Sequence, residues 1–151
     1  MQQVQEELIE NAKEELKRAD HSIYVTLKYT RTVDIIKNII KRLISASDIA
    51  ILEALHYLKA KKKIKEMPPV SKRRAELVAS AIPILKKDIE FYFLLREIDI
   101  APYTKREEYR KNVALVTTVE GKTIIVDIET VRKHFERIVE FVDKIHDMVK
   151  P

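Results

Sequence analysis

The stretch VDIIKNIIKRLISASDIAILEALHYL, Val33–Leu58, decides the fold. Its apolar residues recur at Ile36, Ile39, Ile40, Leu43, Ala46, Ala50, Ile51, Ala54, Leu55 and Leu58. Steps of three and four place them on one broad helical face, with Asp34, Lys37, Asn38, Lys41, Ser45 and Asp48 on the other. A helix of this length extends about 39 Å, well beyond the usual globular helix. Only other long helices lying alongside can bury such a stripe. The expected fold is therefore mainly α: an antiparallel helical bundle of four to five main helices.

Upstream, Val4, Leu8, Ala12, Leu16, Ala19, Ile23 and Leu27 step in the same way and predict a first long helix. Glu10–Lys13, Glu14–Lys17 and Glu14–Arg18 support its outer face. Tyr29–Thr32 breaks the pattern, and the hydroxyl of Thr30 or Thr32 is suited to cap the second helix. So short a connection makes the two helices antiparallel neighbours. Downstream, the second helix runs out into Lys59–Lys65 before Pro68-Pro69 ends it. Ser71 is placed to cap a short helix through Ala81, and Pro83 then breaks the chain. Ile84–Ile100 is apolar nearly all round, through Ile89, Phe91, Tyr92, Phe93, Leu94, Leu95 and Ile98, which predicts a central, mostly buried helix. After Pro102, Tyr103–Lys111 reads as one more short, highly charged helix.

The period then changes to two. Val113–Val119 and Lys122–Ile128 flank Glu120-Gly121, which contains the only glycine of the chain. A two-residue turn there pairs Val113 with Ile128, Leu115 with Val126 and Thr117 with Ile124, building one apolar face. A lone hairpin is marginal in water, so this face must lie on the bundle or on another subunit. Asp127 is set to cap a last helix over Glu129–Lys150, with Val131, Phe135, Ile138, Val139, Val142, Ile145 and Val149 as its stripe. The chain, 1–151, reads as one domain with a β-hairpin at 113–128 before the C-terminal helix.

With 46% apolar and 35% charged residues, the composition suits a folded helical protein and argues against disorder. Abundant Lys, Glu and Ile with scarce Asn and Gln point to a thermophilic source. There is no cysteine, hence no thiolate chemistry and no disulfide, which suits a reducing cytoplasm. Neither a signal-peptide order nor an apolar run of about 20 residues is present, so no membrane insertion is expected. A single glycine rules out a glycine-rich phosphate loop, and the serines lack a histidine–carboxylate arrangement.

The net charge of +5 invites polyanions, and two segments concentrate it. The first is Lys59, Lys61, Lys62, Lys63, Lys65, Lys72, Arg73 and Arg74; it reads either as a phosphate-binding run or as a solvated helix end whose lysines complement the helix dipole. The second is Tyr103, Lys105, Arg106, Tyr109, Arg110 and Lys111. Aromatics interleaved with arginines can stack on and clamp single-stranded RNA, whereas the bland alternative packs their stems on the core and pairs them with Glu107 and Glu108. Glu53-x-x-His56 and Asp143-x-x-His146 have the carboxylate–histidine spacing of di-iron bundles, but the apolar stripes supply no clear further carboxylates, Glu90 and Glu97 being the only candidates. No metal and no cofactor is expected.

The first two helices, through AKEELKRADH at Ala12–His21 and YTRTVD at Tyr29–Asp34, resemble archaeal helical-bundle proteins and, more loosely, the HEPN superfamily of small bundles. Active members of that superfamily are RNases with an arginine four to six residues before a histidine, paired across a dimer. None of His21, His56, His134 and His146 has an arginine at that distance upstream. What the resemblance implies is a divergent, non-cleaving member that dimerises or scaffolds. The expected function is a non-catalytic interaction or dimerisation module, a homodimer more readily than an enzyme. The alternative is an RNA- or nucleotide-binding accessory protein using 59–74 and 103–111.

Overall fold

The computed structural model describes residues 2–150. The described residues are mainly α, five helices with a small antiparallel sheet before the last. Helix α1 spans Gln2–His21 and is prolonged by a π turn, Ser22–Thr26, and one α turn, Leu27–Tyr29. The π turn has a sequence cause. Ala19, Ile23 and Leu27, all buried, are spaced by four twice, and eight residues at 3.6 per turn overshoot two turns by about 80°. A wider turn absorbs that excess and keeps all three on the core side.

Helix α2, Val33–Ala60, is the hub. All ten residues of the apolar stripe are buried. Thr32 caps the helix, its hydroxyl accepting from the Ile35 N–H at 3.3 Å, a contact that contributes about 1 kcal/mol. Gln5 meets Glu53 while Glu15 meets Arg42, so α1 and α2 run antiparallel, as their short connection requires. At the other end Lys62 takes the left-handed conformation (φ 60°), with Lys63 N–H donating to Leu58 O and Lys62 N–H to Lys59 O. This is a Schellman closure with lysine where glycine is usual. The helix thus stops within the basic run instead of continuing through it.

Helix α3, Ser71–Ala81, has Val70 in the capping position, not Ser71, which is already helical. Pro68-Pro69 leads into an extended Val70 (φ −102°, ψ 133°), and the helix begins one residue earlier than a cap by the Ser71 hydroxyl would require. After a 3₁₀ turn, Pro83–Leu85, helix α4 covers Lys86–Ile100. It is a flanking helix and not the centre of the bundle. Ile89, Phe91, Tyr92, Leu95 and Ile98 are buried, but Lys86, Lys87 and Glu90 face solvent and Ile100 is largely exposed. At about 22 Å it covers only part of α2, to which α1, α3, α5 and the sheet also pack.

Tyr103–Lys111 is not a helix. Tyr103–Arg106 forms strand β1, pairing antiparallel with β2, Ala114–Val119, which in turn pairs with β3, Lys122–Asp127. The three-residue spacing of Tyr103, Arg106 and Tyr109 is compatible with a helix, but the backbone groups along the open edge of β2 need partners. The Tyr-Thr pair after Pro102 supplies them, with Tyr103 opposite Thr117. The hairpin register is the expected one for Leu115 opposite Val126 and Thr117 opposite Ile124. The expected Val113–Ile128 pair does not form, because the ladder ends at Ala114 and Asp127 and Ile128 already opens the last helix. Glu120 and Gly121 both have positive φ, 50° and 78°, as a type I′ turn needs. Val113, Leu115 and Val126 are buried against the bundle, so the apolar face is covered within one chain.

Helix α5, Ile128–Val149, is capped by Asp127, whose carboxylate accepts from Thr130 N–H at 2.8 Å. Its start lies beside Ile23 and Leu27, and His146 lies beside Glu53, so it runs parallel to α2. Phe141, absent from the expected stripe, is among its most deeply buried residues. None of the described helices is long and apolar enough to cross a membrane.

Candidate functional site

Helix α2 sets the geography of the basic segments. Its 28 residues span about 42 Å, and the two segments lie at opposite ends. Lys61, Lys62, Lys63 and Lys65 follow its C-terminus, with Lys72 and Arg73 exposed on the first turn of α3. Arg74 is spent on structure, its Nε donating to Pro68 O at 2.6 Å, and Lys61 lies over the Tyr57 ring. The 103–111 segment instead folds over the N-terminus of α2. Glu108 accepts from Val33 N–H at 3.0 Å, taking the place of a second cap, and Tyr109 N–H donates to Arg31 O at 2.7 Å. The two segments do not form one surface.

Within 103–111 the side chains divide. Tyr103 is half-buried on the inner side of the sheet, with Lys37 Nζ 4.4 Å above its ring, the same ammonium donating to Asp99 O at 2.7 Å. Arg106, three residues along a strand, falls on the other side. Lys105 pairs with Asp34 at 3.3 Å and Glu108 at 3.5 Å, and these carboxylates hold its ammonium charged above the usual lysine range. Glu107 and Tyr109 both adopt positive φ, 51° and 68°. Tyr109 is 76% exposed, in a backbone conformation costly for an aromatic residue. Across the anchoring hydrogen bond lies the α1–α2 connection, with Tyr29 79% exposed and Lys28 and Arg31 beside it. Among the described residues, no carboxylate lies within ion-pairing distance of Lys28, Arg31, Arg106, Arg110 or Lys111. One end of the bundle thus presents two bare tyrosine rings among five unpaired cations. Lys28, Tyr29 and Arg31 escape a reading of the sequence because they lie in a short break between helices, far along the chain from the strand loop they adjoin.

The carboxylate–histidine motifs recombine. Glu53 does not act with His56, nor Asp143 with His146; instead His146 Nδ1 lies 2.8 Å from the Glu53 carboxylate, joining α5 to α2. Glu53 is wholly buried and His146 nearly so, while Asp143 is exposed and His56 half-buried. Burial, then the charges of Lys59 and Arg74, lower the His56 pKa. Glu90 is exposed and Glu97 half-buried. Among the described residues no three His, Asp or Glu side chains gather as a metal site would need.

A third polar cluster pins α4 to α2. Tyr92 OH donates to Asp48, and Arg96 Nη1 donates to Tyr92 OH at 2.8 Å. Burial raises the Asp48 pKa against the opposing effects of Tyr92, Arg96 and Arg74. Burial and the neighbouring carboxylate raise that of Tyr92 as well. Asp48 was expected on the solvent face of α2; the signal that would have moved it is the tyrosine inside an apolar run, whose buried hydroxyl needs a partner. One turn earlier on α4, Lys144 reaches the buried Asp88 at 3.1 Å.

No family model, curated protein or solved structure matches this chain.

Proposed function

We propose that the chain is a non-catalytic helical-bundle module that binds single-stranded RNA at the end formed by the α1–α2 connection and the β1–β2 loop. One observation carries this: Tyr29 and Tyr109, each more than three-quarters exposed, stand on adjoining loops among cations that no carboxylate of the described residues pairs with. Bare aromatic rings give bases a stacking surface, and free Lys and Arg meet the phosphates between them. Hydrogen bonds from the loop to Arg31 and to the start of α2 hold the surface on a rigid rod. The HEPN-like pattern of the first two helices accords with an RNA ligand, and the missing arginine–histidine spacing accords with binding without cleavage. The Lys61–Lys65 run is read as the closing turn of α2.

The test is fluorescence anisotropy of a labelled single-stranded RNA. Tyr29→Ala and Tyr109→Ala are each expected to cost about 1–3 kcal/mol of binding, roughly 5- to 150-fold. With five cations engaged, log K should fall against log salt with a slope of about −3 to −4. Lys61→Gln/Lys62→Gln/Lys63→Gln should leave affinity nearly unchanged. Binding that ignores the tyrosines but collapses in the lysine variant would move the site to the far end of α2.

A homodimer is favoured by a separate observation. Ile84, in the 3₁₀ turn before α4, and Ile100, its last residue, are 78% and 82% exposed, and Val70 is also largely uncovered. Large apolar residues left uncovered are the usual material of an interface. Light scattering should return twice the chain mass, and Ile84→Lys/Ile100→Lys should return the chain mass itself. A wild-type protein that is monomeric at high concentration disposes of the dimer.

A further inference from the structure

A cavity of about 220 Å³ opens beside the π turn, between the end of α1 and the first turns of α5. Ile23, Leu27 and Ile128 give it an apolar floor and Tyr24 a wall. Lys28, Arg31 and Arg132 line the rest. Among the described residues, only one carboxylate pairs with any of these three cations: Glu129, at 2.9 Å from Arg132. Three positive charges less one negative leave two uncompensated. The Arg132 guanidinium lies over the Tyr24 ring at 5.4 Å, and its Nε–H is shut away from solvent with no acceptor among the described residues. A buried N–H of a charged group without a partner is costly, and the guanidinium that carries it lines the cavity. The π turn makes this geometry: it keeps Ile23 and Leu27 in the core while Tyr24 and Lys28 stay outside. Such turns recur at functional sites.

We propose that this cavity binds a phosphate monoester group. A monoester carries close to two negative charges at neutral pH and several strong acceptor oxygens. The uncompensated charge matches that dianion better than a carboxylate. Two guanidinium groups and an ammonium supply directed donors to several of its oxygens at once. The volume is below that of a site enclosing a whole drug-sized ligand. It admits the phosphate and the first carbons attached to it, which meet Ile128 and Tyr24, and leaves the remainder outside. Lys28 and Arg31 also border the tyrosine surface, so the inference deepens the RNA proposal by giving the strand a terminal phosphate to dock. The same chemistry fits a free nucleoside monophosphate.

The full chain, labelled with ¹⁵N, is titrated with inorganic phosphate, uridine 5′-monophosphate and uridine, reading the Nε–H resonance of Arg132. Phosphate and the monophosphate should shift it and uridine should not. Arg132→Gln is expected to weaken monophosphate binding at least tenfold. Lys28→Gln, at an exposed position that folding does not need, should weaken it several-fold by calorimetry. An Arg132 resonance that stays fixed at phosphate well above millimolar concentration, or affinity unchanged in both variants, overturns the proposal. A preference for 5′-phosphorylated over 5′-hydroxyl RNA, tenfold or more, supports the strand end as the source. Equal affinity for the two RNAs with the monophosphate still shifting Arg132 supports the free nucleotide. Failure of the RNA reading is separate: it shows in the Tyr29 and Tyr109 variants, neither of which lines this cavity.

Discussion

His146→Leu is expected to unfold this protein more readily than any single surface change, with a loss of about 3–5 kcal/mol and, at this chain length, a fall in Tm on the order of 10 °C. The cause is what the change leaves behind. Glu53 is wholly enclosed between α2 and α5, and His146 Nδ1, 2.8 Å away, is its side-chain hydrogen-bond partner. Leucine is close to histidine in volume, so packing changes little. The carboxylate, however, must either keep its charge with no donor or take up a proton, and either outcome is costly in a medium without water. Glu53→Gln keeps a polar partner for the ring and should cost far less. Replacing both residues with leucine removes the stranded group altogether, and its stability should return to within about 1 kcal/mol of wild type. Urea unfolding of the four proteins checks this as a double-mutant cycle. A loss below about 1 kcal/mol in His146→Leu would show that the carboxylate finds another partner.

The same pair shows which parts of this structure can be read from the chain alone. Glu53 and His146 stand out in the sequence by their spacing to His56 and Asp143, but spacing within a helix says nothing of which helix lies opposite. The pairing is tertiary, fixed only when α5 settles parallel to α2. What depends on local rules is legible: the Val33–Leu58 stripe, the caps by Thr32 and Asp127, the hairpin register around Glu120-Gly121. What depends on a distant partner is not. Tyr103–Arg106 becomes a strand because β2 has an open edge, and no periodicity in four residues can announce that. The tyrosine and arginine of 103–111 are visible as a candidate surface. Their neighbours Lys28, Tyr29 and Arg31 are not, because a hydrogen bond from Tyr109 to Arg31 is what brings them together. The π turn is intermediate. The double step of four from Ala19 through Ile23 to Leu27 carries the signal, and an ideal 3.6-residue helix hides it.

Acidification should weaken the fold through His134, and His134→Gln should remove that part of the weakening. The ring lies edge-on to Phe91 at 5.0 Å, and Arg137 sits over the same phenylalanine at 4.3 Å. Burial first, and the neighbouring guanidinium second, push its pKa down to about 4 from 6.5. In the unfolded chain the imidazole takes up a proton near its ordinary value; in the folded chain it resists until about 4. Between those pH values the unfolded state binds more protons, so stability falls as pH falls. It is intact above about pH 6.5 and fully spent below about pH 4, and a gap of about 2.5 units corresponds to about 3 kcal/mol. His56, lowered also by burial, pulls in the same direction, whereas Asp48, whose carboxyl is raised, gains relative stability on acidification. The total pH profile therefore mixes opposing contributions, and the difference between wild type and His134→Gln isolates one of them. Melting curves for both proteins from pH 8 to pH 4 should diverge below pH 6.5, wild type losing the more. Profiles that stay parallel over that range would mean that His134 takes up its proton as readily in the folded chain as in the unfolded one, and that the Phe91–Arg137 surface opens to admit it.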